Sequence, residues 1–111
     1  MDGAQLDAVF AALANAKRRA MLEILSQRPS TVGALGKELD VSLQSMHRHV
    51  RTLERAGLIQ RKKAGRVNFV TIRRPAFARA QGWMEGFHLD WGHDTATLEN
   101  FIAQMRASDD G

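Results

Sequence analysis

The hydrophobic period of this chain changes at Gly57-Leu58, and that change limits what the chain can fold into. Before it, apolar residues recur every three or four positions. After it, Ile59 to Lys63 and Arg66 to Ile72 are short β-rich runs joined by Ala64-Gly65, a hairpin in outline. The helical side divides at its capping residues. Leu6, Val9, Phe10 and Leu13 mark a first helix. Asn15 can cap a second, whose basic first turn, Lys17-Arg18-Arg19, precedes Met21, Leu22, Ile24 and Leu25 and which ends at Arg28-Pro29-Ser30. Ser30 or Thr31 starts a third helix through Val32, Leu35 and Leu39. Asp40-Val41 is the turn, and Ser42 caps a fourth helix that reaches about Ala56, with Gly57 the expected left-handed stop. Beyond the hairpin, Pro75 opens a helical tail. There Trp83, Phe87, Trp91, Leu98, Phe101, Ile102 and Met105 fall mostly within one sector of about 100°. The expected fold is mainly α with a small β-hairpin, in the order of a winged helix-turn-helix.

At 111 residues one domain is expected over 1–111, with the helix-turn-helix at about 31–56, the wing at about 59–72 and C-terminal helices at about 75–106. The chain has no cysteine, which excludes disulfide scaffolds and thiolate metal sites. No apolar run approaches the roughly 18 residues of a membrane span. Met1-Asp2-Gly3-Ala4 lacks the pattern of a secretory signal, so a cytoplasmic protein without membrane partners is expected. Charge is unevenly placed. Residues 1–41 carry five bases and five acids; residues 42–80 carry ten bases and one acid, Glu54; residues 81–111 carry one base and six acids. A solvated face usually mixes both signs, whereas a cationic middle third is the footprint of polyanion binding.

On the fourth helix Leu43, Met46, Val50 and Leu53 share the side expected to face the core. Gln44, Arg48, Arg51 and Arg55 lie opposite, without compensating acids. Arginine bridges guanine O6 and N7, and glutamine bridges adenine N6 and N7, in a major groove that admits one helix. Gln44, Ser45, His47 and Arg48, nearest the helix N-terminus, are the expected base readers. Arg51 and Arg55, together with Arg61, Lys62, Lys63 and Arg66 around the hairpin tip, are the expected contacts to the DNA backbone.

Leu13-Ala14-Asn15-Ala16-Lys17-Arg18 with Met21-Leu22-Glu23-Ile24-Leu25 resembles the opening signature of ArsR-type transcriptional repressors. Val41-Ser42, Met46-His47-Arg48-His49-Val50 and Leu53-Glu54-Arg55-Ala56-Gly57-Leu58-Ile59 resemble their recognition helix and its exit. The tail, with Trp83, Phe87, Trp91 and Leu98, is similar to that of a metal-independent branch. The family's usual Asp-Pro before the second helix is Asn15-Ala16 here, and a common serine is His47, a change expected to alter operator preference. The family's thiolate metal site would use positions 40 and 42, which hold Asp40 and Ser42. His88, Asp90, His93, Asp94 and Glu99 do not match its tail-helix metal spacing, so no metal or other cofactor is expected. His49 resembles the family's packing histidine.

The resemblance implies a repressor that binds a palindromic double-stranded DNA operator. No glycine-rich phosphate loop or recognisable catalytic arrangement supports an enzyme. A winged-helix protein-interaction or RNA-binding module is the alternative, and nothing in the sequence identifies an inducer. The apolar tail is broader than a small core needs, so a homodimer is expected through Leu6, Val9, Phe10, Leu13, Trp83, Phe87, Trp91, Leu98 and Met105. Asp94 would interrupt that stripe on an unbroken helix. A kink is therefore expected near Gly92, with Asp94 or Thr95 capping a final helix.

Overall fold

The computed structural model describes residues 3–87 and 94–110. Six helices and one hairpin follow in the order α1 (Gly3–Leu13), α2 (Ala16–Leu25), α3 (Val32–Leu39), α4 (Leu43–Arg55), β1 (Ile59–Ala64), β2 (Val67–Ile72), α5 (Arg74–Glu85) and α6 (Asp94–Asp110). This is the winged helix-turn-helix topology, mainly α with a two-stranded antiparallel sheet.

The helices start where side chains can hold the first free N–H groups. The Asn15 side chain accepts from the Arg18 N–H at 3.0 Å, Thr31 from Ala34 at 3.1 Å, and Ser42 from Ser45 at 3.2 Å. Ser30 serves a different purpose from the cap it was equally expected to be. It exchanges two backbone hydrogen bonds with Val70, at 3.2 and 2.7 Å, and so adds a short third rung to the sheet.

Two helices end in the same motif. At the end of α4 the Leu58 N–H reaches the Leu53 carbonyl at 3.0 Å and the Gly57 N–H reaches Glu54 at 2.9 Å, with Gly57 at φ +79°. At the end of α3 the Val41 N–H bonds Gly36 at 2.9 Å and the Asp40 N–H bonds Lys37 at 3.4 Å. Both are Schellman closures. In the second, however, the left-handed position (φ 53°) is held by Asp40, at a cost of roughly 1 kcal/mol relative to glycine.

α2 opens with three cations, an arrangement its own dipole disfavours. All three reach the carbonyl ends of other helices. Arg18 donates from Nε to the Ala12 carbonyl at 2.7 Å and from Nη2 to Ala11 at 3.1 Å. Arg19 donates to Leu13 at 2.8 Å, and Lys17 donates to Leu39 at 3.0 Å. The basic turn thus closes the C-termini of α1 and α3 and fixes how three helices meet.

The core lies where α1, α2, α3, α4 and the base of the hairpin converge. Val9, Met21, Leu35, Met46, Val50, Leu53, Leu58, Ile59 and Val70 are fully enclosed there. Each contributes about 1.5–3 kcal/mol by leaving water. Val9 is therefore a core residue and does not reach a partner surface. Leu6, Phe10 and Leu13 are half-buried around it. β1 runs one residue further than expected, to Ala64, and β2 starts one residue later, at Val67, so the turn moves from Ala64-Gly65 to Gly65-Arg66. Positive φ occurs there only at Gly65, the sign pattern of a type II′ turn, whose first central residue is normally glycine.

α5 closes with Gly86 and Phe87, ahead of the expected break. The kink region, Gly92-His93, lies outside the described residues, as does Trp91; α6 then begins at Asp94. No described helix is long and apolar enough to cross a membrane.

Candidate nucleic-acid interface

α4 places its residues by simple helical geometry. Met46, Val50 and Leu53 point into the core and anchor the helix along its length. Gln44, Arg48, Arg51 and Arg55 are exposed on the other side, while Ser45 and His47 are half-buried at its edges. Among the described residues no acid pairs with Arg48, Arg51 or Arg55. Leu43 departs from expectation. It was assigned to the core side but is 56% exposed, because the first turn of α4 projects beyond the helices that cover the rest. An apolar side chain thus stands beside Gln44 at the tip of the polar face.

The hairpin continues the cationic surface. Lys62 stands opposite Phe69 and Lys63 opposite Asn68, with Arg66 in the turn between the strands. Lys62, Lys63 and Arg66 are exposed, and no acid among the described residues pairs with them. Arg61 differs. Its Nε donates to Glu54 Oε1 at 3.1 Å, which ties β1 back to α4. A half-exposed pair of this kind is worth about 0–1 kcal/mol. It engages the one acid within the basic third.

His49 sits behind the interface. Its Nδ1 lies 3.4 Å from Arg18 Nη1. Arginine is always a donor, so this contact leaves the proton on Nε2. Burial lowers the His49 pKa below the usual histidine value, and the Arg18 and Arg48 guanidinium groups lower it further. A neutral histidine is held between the α1–α2 corner and the recognition helix, the packing position expected for it. Sequence reasoning had not seen the capping work of Lys17, Arg18 and Arg19. The absence of acids in the first turn of α2 is its only trace in the sequence.

The described apolar residues expected at a partner surface fall on α1, α5 and α6. Trp83 packs edge-on against Phe10, with centroids 5.5 Å apart, and against Phe87 at 4.8 Å. The N-terminal helix and the start of the tail are thereby joined in one aromatic patch. Leu98, Phe101, Ile102 and Met105, on α6, are exposed. Among the described residues no three His, Asp or Glu side chains are grouped closely enough to hold a metal ion. His88, Asp90 and His93 lie outside those residues.

Known proteins share this arrangement. Residues 13–61 match the model of a helix-turn-helix domain family. The uncharacterized HTH-type transcriptional regulator YuzN of Bacillus subtilis is 31% identical over 87 residues, which cover 71% of this chain and 95% of that one. The crystal structure of the ArsR family transcriptional regulator RHA00566 superposes with a TM-score of 0.73 at 36% identity, over 82% of this chain and 94% of that one. The solution structure of the homodimeric winged helix-turn-helix DNA-binding domain of Mb0332 from Mycobacterium bovis matches at a TM-score of 0.62 and 25% identity, over 80% and 85% of the two chains. Likeness in sequence along nearly the whole of a curated relative, joined to a fold shared with an ArsR family regulator at 36% identity, has one meaning: this chain belongs to the ArsR-type winged helix-turn-helix, DNA-binding transcriptional regulators.

Proposed function

We propose that the protein is a repressor that binds a palindromic double-stranded DNA operator as a two-fold homodimer, the whole chain acting as a single domain. The observation that carries this reading is the continuous run of acid-free cations on the outward face of α4 and along the adjacent hairpin. In this reading α4 enters the major groove. Gln44, Ser45, His47 and Arg48 read base edges, and Leu43 lies against a thymine methyl group. Arg51, Arg55, Lys62, Lys63 and Arg66 meet phosphates and set the register. Arg61 is left out of that set because Glu54 holds it.

One winged helix reads a single half-site. Two related by symmetry read half-sites about 34 Å apart, so the operator mirrors the protein's two-fold axis. The homodimeric Mb0332 domain supports this assembly, and the Phe10–Trp83–Phe87 patch is a surface through which it can form. The reading includes no metal, because the chain has no cysteine and its tail histidines and acids do not match the family's metal spacing.

Selection of bound fragments from genomic DNA, with and without chelator, tests the proposal. The expected product is a two-fold symmetric sequence bound by two chains, with the same affinity in both arms. Recovery of sequences without symmetry, or of single-stranded RNA in preference to duplex DNA, would defeat it.

A further inference from the structure

We infer that the groove between α2, the end of β2 and the start of α5 is the seat of α6 from a second copy of this chain. The inference rests on the homodimer reading above. The groove has a volume of about 560 Å³ and is lined by Leu22, Leu25, Ile72 and Phe77, with Glu23 and Arg74 at its rim. On α6, Leu98, Phe101, Ile102 and Met105 stand at positions i, i+3, i+4 and i+7, and they are 57%, 58%, 38% and 53% exposed. That spacing is how a helix presents anchors to an apolar groove. One chain therefore displays both the helix and the groove to solvent.

Three observations point to a second copy as the occupant. The first is charge. Glu99 and Arg106 fall seven residues apart along the same edge of the α6 stripe, about 10.5 Å along the axis. They offer an acid and a base to the groove's own base and acid, Arg74 and Glu23. The second is continuity. α5 carries both the groove wall, at Phe77, and Trp83 of the aromatic patch, six residues or about 9 Å apart along its axis. The third is size. A stable interface uses about 20–30 residues a side, and among the described residues the aromatic patch of Phe10, Trp83 and Phe87 is well short of this. Two-fold symmetry seats two copies of α6 in two grooves at once and so enlarges the buried surface on both protomers.

The chain has no native cysteine, so introduced thiols report on their own. Ser26, on the groove wall, and Met105, on α6, are the chosen positions. Full-length Ser26→Cys and Met105→Cys chains are mixed, allowed to exchange subunits and air-oxidised. A disulfide-linked heterodimer is expected on a non-reducing gel, and Phe101→Glu should weaken dimerisation at least tenfold while helical circular dichroism persists. An internal link in the Ser26→Cys/Met105→Cys chain would place α6 in its own groove and overturn the inference. A wild-type dimer with no link in the mixture, or one indifferent to Phe101→Glu, would leave the groove to a small ligand or another protein. That result also overturns the inference but leaves the homodimer intact. A wild-type monomer at micromolar concentration in sedimentation overturns both.

Discussion

Two basic clusters of this protein look alike as text and do opposite work. Lys17-Arg18-Arg19 opens α2, and each of its cations ends on a carbonyl at the C-terminus of α1 or α3. Arg48, Arg51 and Arg55 on α4, with Lys62, Lys63 and Arg66 on the wing, have no acid partner among the described residues. The first cluster is neutralised by the chain's own helix dipoles and fixes the fold. The second keeps its charge available for a polyanion. Arg61 falls between the two, on the wing but held by Glu54. The lesson is that a count of cations predicts a partner only after those that satisfy the chain's own carbonyls have been removed.

The largest expected effect breaks the first cluster. Arg18→Ala removes charged hydrogen bonds to Ala11 and Ala12 and the contact with His49. It should cost about 2–3 kcal/mol, which lowers Tm by roughly 10 °C or more in thermal unfolding. An unchanged Tm with weakened DNA binding would erase the distinction between the clusters. Arg48→Ala should do the reverse. Tm should hold within about 0.5 kcal/mol, while discrimination at one base pair falls by about 1–3 kcal/mol in competition binding. Lys62→Ala should weaken every duplex alike and reduce the salt slope of log K by about 1, with sequence preference intact. Equal loss of discrimination in both variants would defeat the division between base readers and backbone contacts.

The smallest expected effect concerns the join between the clusters. His49 has a lowered pKa in the folded protein, so the unfolded chain binds the extra proton more readily. Its contribution is fully present above the unfolded value of about 6.5 and is lost as pH falls through the window between that value and the lowered folded one. Urea unfolding at pH 7.5 and 5.5 should show the wild type losing more stability than His49→Gln. A variant that loses as much as the wild type would show that His49 does not couple α4 to the α1–α2 corner.

Much of this molecule is legible in the residues alone. Asn15, Ser42 and Gly57 act where their chemistry places them, because a cap needs only a side chain or a positive φ within reach of its own helix end. The polar face of α4 is equally legible, since three buried residues at helical spacing fix where Gln44, Arg48, Arg51 and Arg55 must point. Leu43 was misread because periodicity tells which side a residue faces but not how far the neighbouring helices extend to cover it. Val9 was misread in the opposite sense, since an apolar residue on α1 looks the same whether its neighbour is α4 or a second chain. Nor could spacing show that Phe10 meets Trp83, 73 positions along the chain.

By itself, the sequence determined the order of helices and strands, the turn residues between them and the net cation in the middle third. These follow from capping, periodicity and charge within short stretches of chain. Tertiary structure alone decided which cations are free, which apolar residues close the core and which remain for a partner. The reason is physical: the carbonyl that captures Lys17 belongs to Leu39, and the carboxylate that captures Arg61 lies on another element. Whether a charge or a methyl group remains exposed depends on what folding brings beside it.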